Sequence, residues 1–404
     1  MTGKLVVWDQ QYANTKGWSK VMDEATAAFE AAHKGVTIQH VAQTTDPVAY
    51  TQLLQAAFQA KAGPDIVMMQ PAGDGVYIYK DALAPLEGYV SPALVKSMVG
   101  TADVSADGHL YGLPDGIQGM VIFYNKALFA KAGLDPNKPP TTVQELMTDA
   151  AALKAAGITP IGAGNATGGD LMVWAYSTFN PSVATAKQAL EVGQNKIKFT
   201  DPTVMDTMQK VLDMYKAGYF SAKINSQDLT AGAGEFTHGK AGMTIGIATI
   251  LTYVANGNGD PAVGGIGADN VGVIPTLGSP ANYVPVGANV AWVVPKYSKH
   301  QKLAAEYISY LSSVKVQQEM FNNFGWLPSN SGVNTTGGPA VTYPAMADML
   351  KELLKAPVTQ LPGHQLWKAP VATEFKKQMQ AVLGGSESLK DAMTAVQAVQ
   401  DQQG

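Results

Sequence analysis

Leu5-Val6-Val7-Trp8 begins a stretch that closes at Asp65-Ile66-Val67-Met68-Met69, and its rhythm decides the fold class. Short apolar runs alternate in it with helical patterns, the way a sheet flanked by helices is written along a chain. Leu5–Trp8 reads as a first strand. From Lys20 onward Val21, Ala25, Ala28, Phe29 and Ala32 fall at helical spacing, with Gly35 placed to end the helix in a left-handed conformation. Val36–Val41 reads as a second strand. Tyr50, Leu53, Leu54, Ala57 and Phe58 mark a second helix, Gly63-Pro64 ends it, and Asp65–Met69 is a short buried strand. Three strand–helix units predict an α/β protein.

Further along, a polar turn at Asp107-Gly108 separates two short strand-like pieces, the second running through Tyr111-Gly112-Leu113-Pro114 toward Met120–Tyr124. A crossing between domains is expected there. Pro139-Pro140 followed by Thr142-Val143-Gln144-Glu145 is a capping box behind a helix block, so a helix should run from about Val143 to Ala156 and stop at Gly157. Asp201-Pro202 starts another, with Met205, Met208, Val211, Leu212 and Tyr215 on one face and Gly218 at its end. Val290–Val294 is strand-like. Leu303, Ala304, Tyr307, Ile308 and Leu311 then make a helix leading toward Gly325-Trp326-Leu327-Pro328.

The chain has 404 residues, enough for two or three domains, and its 46% hydrophobic and 15% charged residues describe a globular protein. A net charge of −4 leaves no basic field for nucleic acid. All 28 basic residues are Lys, so the flat guanidinium fork that grips carboxylates and phosphates is missing and an anionic ligand is disfavoured. With no Cys, disulfides, thiolate metal sites and thiol catalysis drop out together. The longest uncharged stretch, Asn270–Pro295, is broken by Pro275, Pro280 and Pro285 and cannot span a membrane as a helix. Met1-Thr2-Gly3-Lys4 leads straight into the first strand, so any export signal is expected to have been removed or never present.

The six histidines show no helical metal spacing, and neither a G-x-S-x-G elbow nor a G-x-G-x-x-G fingerprint after a strand occurs. Gly234-Glu235-Phe236-Thr237-His238-Gly239-Lys240-Ala241 has phosphate-loop spacing but puts Ala where a Mg²⁺-binding hydroxyl belongs, so Lys240 is expected in a turn before Met243-Thr244-Ile245. No cofactor and no metal are expected. Trp8, Trp174, Trp326 and Trp367 lie beside small or polar residues, among them Asp9, Gln10, Asn165, Asp170 and Gln365. An aromatic plate flanked by carboxylates and amides matches a sugar, which has apolar C–H faces and polar hydroxyl edges. Acidic and amide residues past strand ends form a second group: Asp9, Gln43, Thr44, Asp46, Gln70, Asp74, Asp115 and Gln118, joined by Asn289 near the later strand. Beyond the carboxyl ends of strands is where open α/β sheets bind ligands, although Asp46, Asp74 and Asp115 also sit beside Pro or Gly as turn formers.

Five pieces then follow one another in a telling order: Gly63-Pro64-Asp65-Ile66, Asp107-Gly108-His109-Leu110-Tyr111-Gly112-Leu113-Pro114, Phe123-Tyr124-Asn125-Lys126, Pro140-Thr141-Thr142-Val143-Gln144-Glu145-Leu146 and Gly239-Lys240-Ala241-Gly242-Met243. In order and spacing the chain resembles the extracellular solute-binding proteins of carbohydrate ABC importers, the group that includes maltodextrin-binding proteins. The resemblance implies a two-lobed periplasmic-binding-protein fold of type II, each lobe a central sheet flanked by helices, with three hinge crossings. Residues 1–118 and 283–312 would form the N-terminal lobe, and 119–282 and 313–404 the C-terminal lobe. It implies one neutral mono- or oligosaccharide held in an interlobe cleft with lobe closure, delivery to ABC transporter permease subunits, and no catalysis. A monomer outside the cytoplasm, free in the periplasm or lipid-anchored, is expected.

By position Gln118 looks like a family hinge residue, and the loops at Asp9, Thr44, Gln70 and Asp170 like those that touch sugar. There are three departures. The family's Thr-Trp pair is Thr142-Val143 here, a structural position whose loss threatens little; Met69 stands where maltodextrin binders carry an aromatic and another aromatic is replaced near Thr249, and these two narrow the ligand. A shorter or differently linked saccharide than a long α-glucan fits better. The alternative is a glycosidase using two of the cleft carboxylates.

Overall fold

The computed structural model describes residues 2–14, 17–44, 47–71, 79–166, 170–257, 260–278, 283–356 and 358–403. The chain divides into two compact units, Met1–Gln118 with Gly287–Val341 and Gly119–Val286 with Thr342–Gly404, so it passes from one to the other three times.

In the first unit the strand Gly3–Trp8 lies between two parallel partners, Val36–Val41 and Ile66–Met69, and Val286–Val293 runs antiparallel to the latter. Leu5 and Val7 are fully buried, and with Ile66 and Met68 they face Trp18, Val21, Met22, Ala25 and Phe29 of the Trp18–Ala32 helix. Trp18 is 0% exposed, so burial starts this helix two residues ahead of the Lys20 expected from spacing. Leu303, Tyr307, Ile308 and Leu311 of the Gln301–Leu311 helix complete this core. Val67, Met69, Ala291 and Val293 pack instead with Tyr50, Leu54 and Phe58 of the Pro47–Ala60 helix. Both faces of the sheet are therefore covered, as a parallel sheet requires.

The expected boundary at residue 312 is corrected. The Val314–Phe324 helix buries Val316 and Met320 in the first unit's core, and Gln317 Nε2 donates to Asp115 O at 3.0 Å and to Ser329 Oγ at 2.9 Å. Those contacts hold residues 313–341 in the first unit, whereas 283–286 fall in the second.

In the second unit the Gly112–Asn125 strand, which has run in from the first, pairs antiparallel with Val271–Ile274 and with Ala241–Ile247. Ala241–Ile247 in turn pairs parallel with Thr159–Gly162. The Val143–Ala155 helix forms where Thr142 predicts it. Thr142 Oγ1 accepts from Glu145 N at 3.1 Å, but Glu145 Oε2 reaches Thr141 N and Thr141 Oγ1, each at 2.7 Å, and does not close the expected box. Those two bonds from Thr141 hold the Glu145 carboxyl below its ordinary range. Gly157 follows at φ +73°, a conformation an L side chain resists.

The phosphate-loop spacing is resolved by secondary structure. Leu229–Thr237 is a helix, and Lys240 N donates back to Glu235 O at 2.8 Å, so carbonyls and not amides end this segment. Lys240 sits in the turn before Ala241–Ile247, as expected. Among the described residues no helix is long and apolar enough to cross a membrane.

Candidate functional site

In the first unit, register gathers the strand ends. Trp8 lies opposite both Val41 and Val67, so the loops beginning at Asp9, Ala42 and Gln70 leave from one edge. The Ala291↔Met69 pairing brings the start of Val286–Val293, and Asn289 with it, to that same edge. Trp8, Thr44 and Asn289 are half-buried there, Gln70 is exposed, and Gln118 is half-buried at the unit's last residue. The Tyr50 hydroxyl lies 3.0 Å from Trp8 O and 2.8 Å from Met68 O, fastening two of these strand ends; burial raises its pKa well above the ordinary phenol value.

Two carboxylates expected at this edge belong to the interior instead. Asp9 is 0% exposed: Oδ2 accepts from Trp18 Nε1 at 2.7 Å and lies 3.0 Å from His40 Nδ1, and Oδ1 accepts from Gln11 N at 3.0 Å. His40 Nε2 continues to the Tyr307 hydroxyl at 2.8 Å, which meets Thr26 Oγ1 at 2.7 Å. Asp115 is also 0% exposed and accepts from Trp292 Nε1 at 2.7 Å. Wholly buried and bonded to Trp18, Gln11 and Trp292, both are committed to the interior of the fold. Trp326 is half-buried, edge-on to Trp18 at 4.8 Å and so close over Gly116 that a Cβ there would lie 2.4 Å from Nε1.

In the second unit the parallel strands Thr159–Gly162 and Ala241–Ile247 end on one edge. A cavity of about 220 Å³ opens there, lined by Gly162, Ala163, Leu171, Trp174, Leu229, Thr230, Ala233, Thr244, Ile245, Ile250 and Tyr253. Gly232 lets the Leu229–Thr237 helix approach the strand end, since a Cβ there would meet Ala163 C at 2.1 Å. Trp174, on the Asp170–Phe179 helix, is half-buried, one side against the core and one on the cavity.

Asn165, expected beside Trp174 as a ligand contact, is 0% exposed and fastens a loop. Its N donates to Ile224 O at 2.7 Å, its Nδ2 to Asn225 Oδ1 at 3.1 Å, and its carbonyl accepts from Gln380 Nε2 at 3.0 Å. Trp367 is 2% exposed, with Tyr176, Phe199 and Phe375 around it at ring distances of 4.8, 5.1 and 4.7 Å. No face is left for a sugar, and the expectation for Trp367 is corrected to core. Asp46 and Asp74 lie outside the described residues, as does the side chain of Asp170.

Tyr253 and Ile250 were not anticipated. The signal is an aromatic four residues past Thr249, where the family's aromatic is replaced, but only the turn of the Leu251–Asn256 helix brings Tyr253 back to the strand end.

The fold is shared across nearly the whole chain with solved structures. One is the bacterial solute receptor AcbH, described as having an exclusive preference for β-D-galactopyranose, at TM-score 0.80 and 14% identity over 99% of this chain and 97% of that one. Another is a chitin oligosaccharide binding protein, at TM-score 0.75 and 23% identity over 99% and 98%. Both are two-lobed solute-binding proteins in which helices flank a mixed sheet, and the present chain has that fold. Among sequence relatives, the sn-glycerol-3-phosphate-binding periplasmic protein UgpB of Brucella abortus is 27% identical over 361 residues, 84% of this chain and 79% of the relative. UgpB of Rhizobium meliloti is 24% identical over 404 residues, 95% and 90%. The signature of the bacterial extracellular solute-binding proteins spans residues 12–318, and the chain belongs to that family of binding proteins, not to the glycosidases.

Proposed function

We propose that the chain captures a neutral mono- or oligosaccharide for an ABC importer, working outside the cytoplasm as a monomer that hands its ligand to the permease subunits. The observation that carries this reading is the cavity walled by Trp174 and Tyr253 at a sheet edge, with no charged side chain among its described lining residues. An indole or phenol face suits the C–H face of a sugar ring. In the first unit Trp8, Thr44, Gln70, Gln118 and Asn289 offer an aromatic and a set of hydrogen-bonding groups of their own. A ligand shifts a conformational equilibrium only by its differential affinity, which is how an importer would sense loading.

The UgpB relatives bind a phosphate ester by name. A phosphate is held by charge-assisted donors, most effectively paired ones; this chain has no Arg, and among the described residues no Lys lines the cavity. A neutral ligand is therefore favoured. Thermal shift and calorimetry across neutral saccharides, with sn-glycerol 3-phosphate and sugar acids as the contrast set, test this. At least one neutral saccharide should raise Tm, by on the order of 5 °C at a hundredfold excess over Kd, with stoichiometric heat. A response confined to the anions would overturn the reading.

A further inference from the structure

The second unit holds another space, one that shares no described lining residue with the Trp174 cavity. The strand Ala241–Ile247 and the strand Val271–Ile274 pair with opposite edges of Gly112–Asn125, and this space lies against the latter. Its volume of about 650 Å³ falls within the roughly 300–1,000 Å³ of small-molecule sites. Much of the wall is carbon. Pro139, Pro140, Ile274, Pro275 and Val284 line it, and the three prolines have no N–H to offer a ligand. Pairing of Tyr283–Val284 with Val358–Thr359 fixes one side.

Two polar groups in that wall are uncommitted among the described residues. Thr276 Oγ1 is shielded from bulk water and has no hydrogen-bond partner, a state that folds ordinarily avoid. Thr141, by contrast, already donates its hydroxyl to Glu145 Oε2. Glu352 is the charged residue among the described lining, and no hydrogen bond or ion pair to a described residue takes up its carboxylate. It stands on the Pro344–Lys355 helix, which buries Met346, Met349, Leu350 and Leu353 and leaves Glu352 exposed. The surroundings are acidic as well: Tyr124, paired opposite Gly272, has its phenol pushed up to about 12 by burial and then by the charges of Asp135 and Asp348. Lys138, Lys351 and Lys355 stand close by in the chain, but none is among the described lining residues.

We propose that this space is a second small-molecule site, one for an organic cation whose compact apolar body sits among the prolines and whose ammonium group pairs with Glu352 and donates to Thr276 Oγ1. An ammonium brings only donors, which suits a carboxylate and a hydroxyl oxygen. An anion would meet Glu352 with like charge, and a polyol would bury hydroxyls against carbon. The site goes beyond the saccharide reading and does not rest on it.

The test is a methyl-resolved NMR titration of the full chain at pH 7 with benzylamine, benzyl alcohol and benzoate, which share a ring and a size and differ in charge. Benzylamine should saturate with a Kd of about 1 mM or tighter, and the shifts should centre on the Ile274, Thr276 and Val284 methyls. Benzyl alcohol should bind more weakly and benzoate most weakly. Glu352→Gln, at an exposed position, should reduce the preference for benzylamine over benzyl alcohol by about two- to fivefold and leave benzyl alcohol unchanged. Thr276→Leu, which fills the space, should weaken both by about fivefold or more; if it does not fold, Thr276→Val removes the hydroxyl at constant shape and should weaken benzylamine alone. Equal affinity for the three probes, benzylamine shifts centred on the Trp174 cavity, or an undiminished preference in Glu352→Gln overturns the site. A saccharide bound in the Trp174 cavity should leave benzylamine affinity within about twofold, and failure of every saccharide to bind overturns the saccharide reading alone.

Discussion

Trp292 donates its indole N–H to Asp115 Oδ1 at 2.7 Å, and both residues are wholly shielded from water. Burial pushes the Asp115 carboxyl from 3.8 up to about 7; the hydrogen bond from Trp292 opposes the rise, the Asp9 charge adds to it, and a weaker hydrogen-bonding interaction with Trp326 opposes it. Between these two values the unfolded chain releases a proton that the folded chain keeps. Asp115 therefore contributes stability that is complete below about pH 3.8 and lost as pH climbs through about 7. Asp115→Asn, neutral at every pH and able to accept from Trp292, should show a smaller fall in Tm between pH 5 and 8 than the parent chain. Superimposable pH profiles would remove Asp115 as the source.

Asp9 ties together parts of the fold that sequence separates, the Trp18 indole and the His40 ring. Asp9→Ala would leave the buried Trp18 N–H without an acceptor and cut the His40–Tyr307–Thr26 chain from its carboxylate. A loss of about 1–3 kcal/mol in urea unfolding is expected, with saccharide affinity of the folded protein unchanged. A stable variant with weakened sugar binding would return Asp9 to the ligand site.

The strands and main helices were legible because their signals are local. Alternation of apolar runs with helical spacing located Gly3–Trp8, Val36–Val41 and Ile66–Met69, and the Thr142 cap located Val143–Ala155. Asp9 and Asp115 misled because a strand-end position says where a side chain starts and not what covers it. Their partners Trp18 and Trp292 lie 9 and 177 residues away. The same limit explains residues 313–341: Val316 and Met320 show that Val314–Phe324 has an apolar face, but nothing local says which unit it packs against. Trp174 was legible as a candidate, and Tyr253, its partner across the cavity, was not, since a helical turn and not sequence proximity to the strand places it.

Trp367 fills an aromatic cluster in the second unit, so its removal should act on folding. Trp367→Ala is expected to cost about 3–5 kcal/mol in urea unfolding, with any folded fraction keeping its saccharide affinity. Native-like stability would show that the Tyr176–Phe199–Phe375 cluster closes over the gap.

Trp174 is the contrasting case, because only part of its indole is committed to the core and the rest faces the cavity. Trp174→Ala removes a stacking surface whose interaction with a ring is worth about 0.5–1.5 kcal/mol beyond the area it buries, so saccharide affinity should fall by about tenfold or more. Trp174→Phe keeps a flat ring in place and should recover much of that loss. Stability should change little in either variant, since the half-buried site can rehydrate, and Tm therefore separates this effect from that of Trp367. Calorimetric affinity that is undiminished in Trp174→Ala would take the indole out of the binding surface and leave Tyr253 as the aromatic wall on which a sugar stacks.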